Sequence, residues 1–296
     1  SIWAYYELGW GGFWFWDPVE NVSLMPWLCL TALLHTIIVL EKRQLLKSWT
    51  LILSIATFTL SMSGTFLVRS GILNSVHTFA NDPARGVFIL LFLFFLIILS
   101  LILFFIYQEK EPTPQKKFFL VSKETSILVN NWFMMYFLSV VLIGTTYPIF
   151  LEVMVNEKIS IGPPFFNKLL IPFLAFFLIF MSLGPKLNWI KDNYKNIKYS
   201  RIGLFLICIL ISFYLIKNTS TEILFTSILG GAALYLLLTT IREFLVNKHN
   251  ISQTISHFGF SLFVLSILLN SLFSSEISAN MKIGQEVIYK KEQIKF

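Results

Sequence analysis

Eight runs of apolar residues, nearly free of charge, recur along the whole chain and constrain its fold more than any other feature. Each is close to the roughly 20 residues that a helix needs to cross the hydrocarbon core of a bilayer. Lipid offers peptide groups no hydrogen-bond partner, so such runs must be helical. They are apolar on every side, which excludes a β-barrel with alternating strands. We predict an all-α polytopic membrane protein with about eight transmembrane helices, at residues 22–40, 49–67, 87–107, 132–150, 168–184, 202–217, 223–241 and 255–273.

The positive charges lie on alternate loops. If the N-terminus is outside, the four inner loops carry 14 lysines and arginines, whereas the outer loops and their helix ends carry five. Positive residues favour the cytoplasmic side, so we expect both chain ends on the outer, periplasmic face. The net charge of +7 therefore reflects topology in a lipid bilayer, and we expect no nucleic-acid partner.

The two cysteines, Cys29 and Cys208, both fall inside predicted helices and show no CxxC spacing. They are typical of small buried hydrophobic residues rather than of a disulfide or a metal site. The chain also lacks a CxxCH haem-attachment motif and is not itself a cytochrome c.

The segment WGGFWFWDPVEN precedes the first apolar run on the outer face and carries three tryptophans within seven residues. Tryptophan concentrates where membrane meets water, and Asp17, Pro18 and Glu20 have the order of a helix start with a capping box. That explanation does not account for three tryptophans beside two glycines. Such a cluster forms a broad surface suited to a large planar ligand at the membrane surface. The candidate docking residues are Trp10, Gly11, Trp14, Trp16, Asp17, Glu20 and Trp27.

Two of the four histidines, His35 and His257, lie near the inner ends of the first and last apolar runs. A histidine within a membrane span is a candidate functional residue, because it must find a partner or bear the cost of desolvation. Similar depth on the inner side is what a bis-histidine haem of the b type requires. The alternative, that each imidazole bonds a backbone carbonyl or a neighbouring helix, stays open at this point.

A third histidine, His77, lies in the outer loop 68–86, on the same face as the tryptophan motif. A solvated loop residue is the alternative to a ligand here. Arg69 and Arg85 in the same loop are candidate contacts for haem propionates, since arginine presents a planar fork to carboxylates. The fourth histidine, His249, lies in an inner loop and is assigned no role.

Several stretches together resemble one family: WAYYELGWGGFWFWDPVEN, ALLHTIIVLEKR, SGTFLVRSGILNSVHTFANDPARG, KISIGPPFFN and SHFGFSLFVLSILL. They are similar to the haem lyase subunit of bacterial and mitochondrial cytochrome c maturation, the CcmF family. The tryptophan motif alone is shared with other haem-handling proteins that carry a Trp-rich WWD domain. The stretch from His35 to His77 and the eight apolar runs narrow the resemblance to the lyase.

The resemblance implies a protein with two haems. His35 and His257 would be the iron ligands of a resident haem b, and His77 an axial ligand of the substrate haem on the tryptophan surface. The family has a further outer-face histidine before this motif. Because Ser1 is not an initiator methionine, we expect the chain to be an internal fragment that lacks it.

The resemblance also implies a division of the chain and its setting. Residues 1–86 would form a haem-handling region with two transmembrane helices and the outer histidine loop. Residues 87–273 would add six transmembrane helices, and residues 274–296 would begin a truncated outer-face domain. The expected location is the bacterial inner membrane, or the mitochondrial one.

The activity that the resemblance implies is thioether formation between haem vinyl groups and the CxxCH thiols of apocytochrome c, within a multi-subunit complex. The implied partners are apocytochrome c, a haem chaperone, other cytochrome c maturation subunits and, as electron donor, quinol. Two other classes stay open. One is a haem transporter, exporter or other WWD-domain delivery protein, for which discontinuous helices are expected. The other is a haem-b electron-transfer subunit, which would have no use for the tryptophan motif or His77.

Overall fold

The computed structural model describes residues 14–73, 75, 82–107, 117–193, 199–217, 223–246, 251–273, 284, 286–289 and 292–295. Regular structure in this part of the chain consists of eight α-helices, a short 3-10 turn at Gly184–Lys186 and one antiparallel hairpin. The helices are α1 (Pro18–Arg43), α2 (Lys47–Ser70), α3 (Pro83–Tyr107), α4 (Lys123–Val155), α5 (Pro163–Leu183), α6 (Tyr199–Ile216), α7 (Ile223–Val246) and α8 (Ile251–Phe273). The strands are β1 (Glu286–Tyr289) and β2 (Glu292–Lys295).

Each of the eight predicted transmembrane runs coincides with one helix, so the all-α multi-pass fold is confirmed. Seven helices are long and apolar enough to cross a membrane, and the apolar part of α6, Ser200–Ile216, is somewhat shorter. The hairpin follows α8 in the polar C-terminal segment. That this segment begins an outer-face domain stays a prediction.

The helices extend beyond the apolar runs because polar side chains cap them. The clearest case is α4, which begins at Lys123 rather than at residue 132. The Ser122 hydroxyl accepts a hydrogen bond from the backbone N–H of Thr125 at 3.2 Å, as an N-cap does. The first turn also carries Glu124, whose side chain has a partner on another helix. Hydropathy alone misses such a polar extension.

Two groups of helices share the interior. In the first, α1 packs against α2 and α4, with Cys29, Ala32 and Val141 fully buried. In the second, α7 packs against α5, α6 and α8. Since α5 contacts both α4 and α7, it joins the two groups. Gly231 of α7 permits a close approach to α6, because a Cβ there would lie 2.8 Å from the backbone of α6. Small residues allow such approaches in membrane helices.

One end of the helix bundle is held by two ion pairs. Arg43 at the end of α1 places its Nε 2.8 Å from an Oε1 of Glu124, which is fully buried and also accepts from the backbone N–H of Ile190. Lys186 pairs with Glu243 of α7 at 3.2 Å. All of these residues belong to helix ends or loops predicted to share the inner side. The structure brings those ends together, while their orientation in the membrane stays a prediction from charge.

The predicted orientation can be tested with cysteine labelling, because both native cysteines are buried. We expect a membrane-impermeant maleimide to label Lys158→Cys in intact spheroplasts, and Lys191→Cys only after permeabilisation. Lys158 follows α4 with its side chain 77% exposed, and Lys191 lies at the opposite end of the bundle. The reverse labelling pattern would contradict the orientation.

The Arg43–Glu124 pair predicts a stability difference between two neighbouring residues. Arg43→Gln leaves a buried carboxylate without its cation, and we expect the free energy of unfolding to fall by about 3 kcal/mol. The control Lys42→Gln removes only an exposed contact with Glu41 at 3.6 Å, and should cost less than about 1 kcal/mol. Thermal denaturation of the detergent-extracted protein compares them. Equal midpoints would show that the buried pair does not stabilise this end of the bundle.

Candidate functional site

The start of α1 is a complete capping box. Asp17 Oδ2 accepts a hydrogen bond from the backbone N–H of Val19 at 3.3 Å, and Pro18 is the first helical residue. Glu20 Oε2 accepts in return from the backbone N–H groups of Asp17 at 3.2 Å and Phe15 at 3.0 Å. The helix-start interpretation of these residues is confirmed, and it accounts for Glu20 without a ligand.

Trp16 is held from three sides. Its backbone has a φ of 57°, a left-handed conformation uncommon outside glycine, and its carbonyl accepts from Asn21 Nδ2 at 3.1 Å. Its indole ring stacks on Phe166 at 4.5 Å between centroids and 11° between planes. Its Nε1–H donates to Asn167 Oδ1 at 3.2 Å. Both partner side chains come from the start of α5, about 150 residues further along the chain.

The tryptophans of the motif are only partly brought together. Trp14 lies edge-on to Trp16, with ring centroids 6.1 Å apart and planes at 85°. Trp27 lies nine residues after Pro18 in α1, which is about 13 Å along the helix axis at 1.5 Å per residue. Its side chain is half-exposed. Trp10 and Gly11 lie outside the described residues. Trp14 and Trp16 are therefore the described core of the candidate surface.

In the described part of the loop 68–86, Ser75 contacts this surface. The Ser75 hydroxyl donates to the carboxylate of Asp17, the same group that caps α1. His77 follows two residues later in the sequence and lies outside the described residues. Asp17 thus joins the start of α1 to the loop segment that carries the candidate ligand.

The two candidate arginines lie at the ends of the helices that border this loop. The carbonyl of Arg69, at the end of α2, accepts from the backbone N–H of Asp82 at 2.9 Å. Arg85 pairs through Nε with Asp82 Oδ2 at 3.0 Å, and its side chain is 75% exposed. Gly86 lets these ends meet, because a Cβ there would lie 2.9 Å from the Cα of Ser70.

His35 and His257 lie at similar depth in α1 and α8. His35 is eight residues before the end of α1 and His257 six residues after the start of α8, or about 12 Å and 9 Å along the helices. The ring of His35 places Nδ1 2.8 Å from the carbonyl oxygen of Thr31. Because a carbonyl only accepts, Nδ1 carries the proton, and Nε2 keeps the lone pair that a metal ligand needs.

A buried polar contact adjoins His35. Asn131 of α4 donates through Nδ2 to the hydroxyl of Thr36 at 2.9 Å, and both residues are fully excluded from solvent. Thr36 in turn donates to the carbonyl of Ala32. This contact fixes the rotation of α1 against α4 at the level of His35. Sequence reasoning missed it, although an asparagine at the edge of an apolar run was the available signal.

The imidazole of His35 can serve as a haem ligand. No group of three or more histidine, cysteine, aspartate or glutamate side chains able to hold a metal occurs within the described ranges. A haem brings four ring nitrogens of its own and needs only one or two axial ligands from the protein. The Nε2 of His35 meets that need.

Known proteins resemble the chain over its whole length. A family model described as cytochrome C assembly protein matches residues 1–74. CcmF of Haemophilus influenzae is 38% identical over 312 aligned residues, covering all of this chain and 48% of that protein. CycK of Rhizobium meliloti, also a cytochrome c-type biogenesis protein, is 37% identical over all of this chain and 46% of its own. A solved structure of the cytochrome c haem lyase CcmF matches with a TM-score of 0.69 and 27% identity, over 92% of this chain and 42% of that one.

The chain belongs to the CcmF/CycK family. It spans about half the length of the curated relatives it matches. The assembly-protein match at residues 1–74 contains Trp14, Trp16, Asp17 and His35. The longer alignments to CcmF and CycK extend over the rest of the chain, including α8 with His257. The expected family resemblance is thereby confirmed.

The site has further residues that the sequence did not single out. Asn21, Phe166 and Asn167 contact Trp16 directly. Ser75 bonds to Asp17. The segment KISIGPPFFN had contributed to the family resemblance, but no periodicity or spacing connects its Phe166 and Asn167 to a tryptophan at the start of α1. Only the folded chain shows that contact.

The double role of Asp17 predicts that its loss costs more than a helix cap. Asp17→Ala and Ser122→Ala each remove an N-cap, at about 1 kcal/mol of stability. Asp17→Ala also removes the acceptor of Ser75, and hydrogen bonds to charged groups contribute roughly 1.5–3 kcal/mol, or tenfold and more in an equilibrium. We expect the free energy of unfolding to fall by about 1 kcal/mol for Ser122→Ala and by roughly a further 1.5 kcal/mol or more for Asp17→Ala, compared by thermal denaturation. Equal effects of Asp17→Ala and Ser122→Ala would show that Asp17 acts only as a helix N-cap.

Proposed function

We propose that this chain forms the part of a cytochrome c haem lyase that holds haem at the outer membrane face for attachment to apocytochrome c. The observation that carries the proposal is the hydrogen bond from Ser75 to Asp17, which ties the loop of His77 to the Trp14–Trp16 surface. A haem docked there would have a flat aromatic contact, and His77 follows Ser75 by two residues in the sequence. The name of the structural relative, a cytochrome c haem lyase, supports the same activity.

At the outer face, the substrate haem would lie against Trp14 and Trp16, and Trp10 and Gly11 are further candidate docking residues from the sequence. His77 provides one axial ligand. Arg85 would contact a propionate. Asp82 binds its Nε, and most of the side chain is exposed and can reach a ligand. Arg69 lies in the last turn of α2 beside the same loop and is the second candidate contact. Asp17 and Glu20 act indirectly, because their carboxylates hold the start of α1.

At the inner side, His35 of α1 and His257 of α8 would hold a resident haem b. Thr31 fixes the tautomer of His35 by accepting its Nδ1 proton, the kind of outer contact that orients metal-bound histidines. Asn131 and Thr36 fix the helix beneath it. When bound, haem b would supply electrons that keep the substrate iron reduced, with quinol as the source.

The chain's own contribution to the reaction is orientation. The thiols of the CxxCH motif add across the vinyl groups of the substrate haem, each S–H bond giving its hydrogen to the vinyl carbon that sulfur does not bind, without net oxidation. In this picture no side chain of the chain acts as a general base. Positioning reactants accounts for a large share of rate enhancement in such steps.

The expected setting follows from the activity. The protein acts in a bacterial inner membrane, given that the similar proteins are bacterial, and works with apocytochrome c, a haem chaperone and other maturation subunits. A transporter is less well supported, because the residues that might interrupt a helix, Pro172 and Gly230–Gly231, lie within continuous helices. An electron-transfer subunit would leave the contacts around Trp16 without a purpose.

Histidine substitutions in the full-length protein test the proposal. His77→Ala should lower the yield of holocytochrome c by at least tenfold or so, since even outer partners of metal ligands commonly matter by about that factor. Its resident haem b spectrum should remain. His35→Ala and His257→Ala should lose that spectrum, measured as a reduced pyridine haemochrome.

His249→Ala is the matched control, because it removes a histidine from an inner loop without an assigned role. It should retain both the spectrum and the yield. An unchanged yield of holocytochrome c with His77→Ala would refute the lyase assignment of that residue. A retained haem b spectrum in His35→Ala would refute the inner site.

A further inference from the structure

The segment at the start of α5 has no role in the function proposed above, yet it reaches the outer site. α5 begins after Gly162 with Pro163 and Pro164, whose fixed φ angles suit the first helical turn. The backbone N–H of Phe165 donates to the carbonyl of Gly162 at 3.1 Å, which closes this turn. Phe166 and Asn167 follow at once and are directed at Trp16.

Phe166 of α5 lies between Trp16 and helix α4. Its side chain is fully buried, and one face of its ring lies flat against the indole of Trp16. Gly144 of α4 lies against the ring, and a Cβ at that position would come within 2.6 and 2.7 Å of Phe166 ring carbons. Phe166 can occupy this position only because residue 144 is a glycine. The position of Phe166 in turn sets the plane against which Trp16 stacks.

The remaining freedom of Trp16 is removed by two amides. Asn167 accepts the indole N–H, which fixes how the ring is turned in its plane. Asn21 donates to the carbonyl of Trp16, which holds the left-handed backbone. Asn21 is itself buried. Backbone, ring plane and ring rotation are each specified by a different contact.

We propose that Phe166, Asn167 and Gly144 are positioning residues that hold Trp16 ready to receive the substrate haem. The inference rests on the proposed function. Phe166 covers one face of the indole, so a planar ligand stacks on the opposite face. A tryptophan fixed before binding gives up less conformational entropy when the ligand arrives, which strengthens binding.

The test compares two glycine substitutions in the full-length protein, expressed with its maturation partners. Gly144→Ala forces the ring of Phe166 to move, whereas Gly203→Ala in α6 adds a Cβ with nothing within 4 Å. Displacements of about 1 Å can cost up to a hundredfold in well-oriented sites, and we expect Gly144→Ala to weaken haem binding at the outer site about tenfold. Haemin titration of the purified protein measures the affinity, and Gly203→Ala should match the unchanged protein.

A second pair of variants, at Asn167, tests the same proposal without relying on Gly144→Ala. Asn167→Ala loses the acceptor for the Trp16 N–H and should weaken outer haem binding, and Asn167→Asp keeps an acceptor and should restore much of it. If the loss is in positioning, the holocytochrome c yield of Asn167→Ala should recover when haem supply is raised. The pyridine haemochrome of the resident haem b reports folding. If Gly144→Ala loses that signal, the asparagine pair decides.

Different results would contradict the positioning role and the lyase function. Unchanged outer haem affinity in Gly144→Ala and Asn167→Ala, with His77→Ala inactive, would overturn the positioning role and leave the lyase function standing. A full holocytochrome c yield in His77→Ala would overturn the function itself.

Discussion

The bilayer gives backbone and polar side chains no water, so this chain must make its polar contacts inside helices or at helix ends. The described part follows that constraint closely. Hydroxyl groups within the spans donate to carbonyls of their own helix, as Thr36 and Thr145 do. The contacts that join different helices through charge lie at one end, around Glu124 and Glu243. The stacking and hydrogen-bond contacts of Trp16 and Asp17 lie at the opposite end of the bundle.

This arrangement explains how far the sequence predicts the fold. Hydropathy identifies the eight helices because lipid imposes their length and composition, and charge on alternate loops indicates which ends belong together. It does not locate helix ends, since α4 extends into polar sequence by virtue of Ser122 and Glu124. A buried ion pair between Arg43 and Glu124 leaves no mark in a hydropathy profile, as each residue alone is typical of a loop.

The candidate site was predictable in part for the same reason. Depth along a helix can be counted, so the shared level of His35 and His257 follows from the sequence. Contacts between distant segments cannot be counted. Phe166 and Asn167 reach Trp16 because α4 and α5 pack beside α1, and the phenylalanine fits because residue 144 is glycine. Ser75 and Asp17 are likewise separated by a complete helical hairpin.

α1 carries parts of both regions, with Trp16 just before its first turn and His35 in its lower half. The 18 residues from Asp17 to His35 correspond to about 27 Å of helix axis. Asp17 and the contacts of Trp16 anchor the upper end, while Asn131 and Glu124 anchor the lower. The helix therefore acts as a spacer of set length, and a tilt that moves Trp16 must also move His35, and with them the two proposed haem sites. Any electron passing between two such sites would meet a gap that the fold, rather than the ligands, determines.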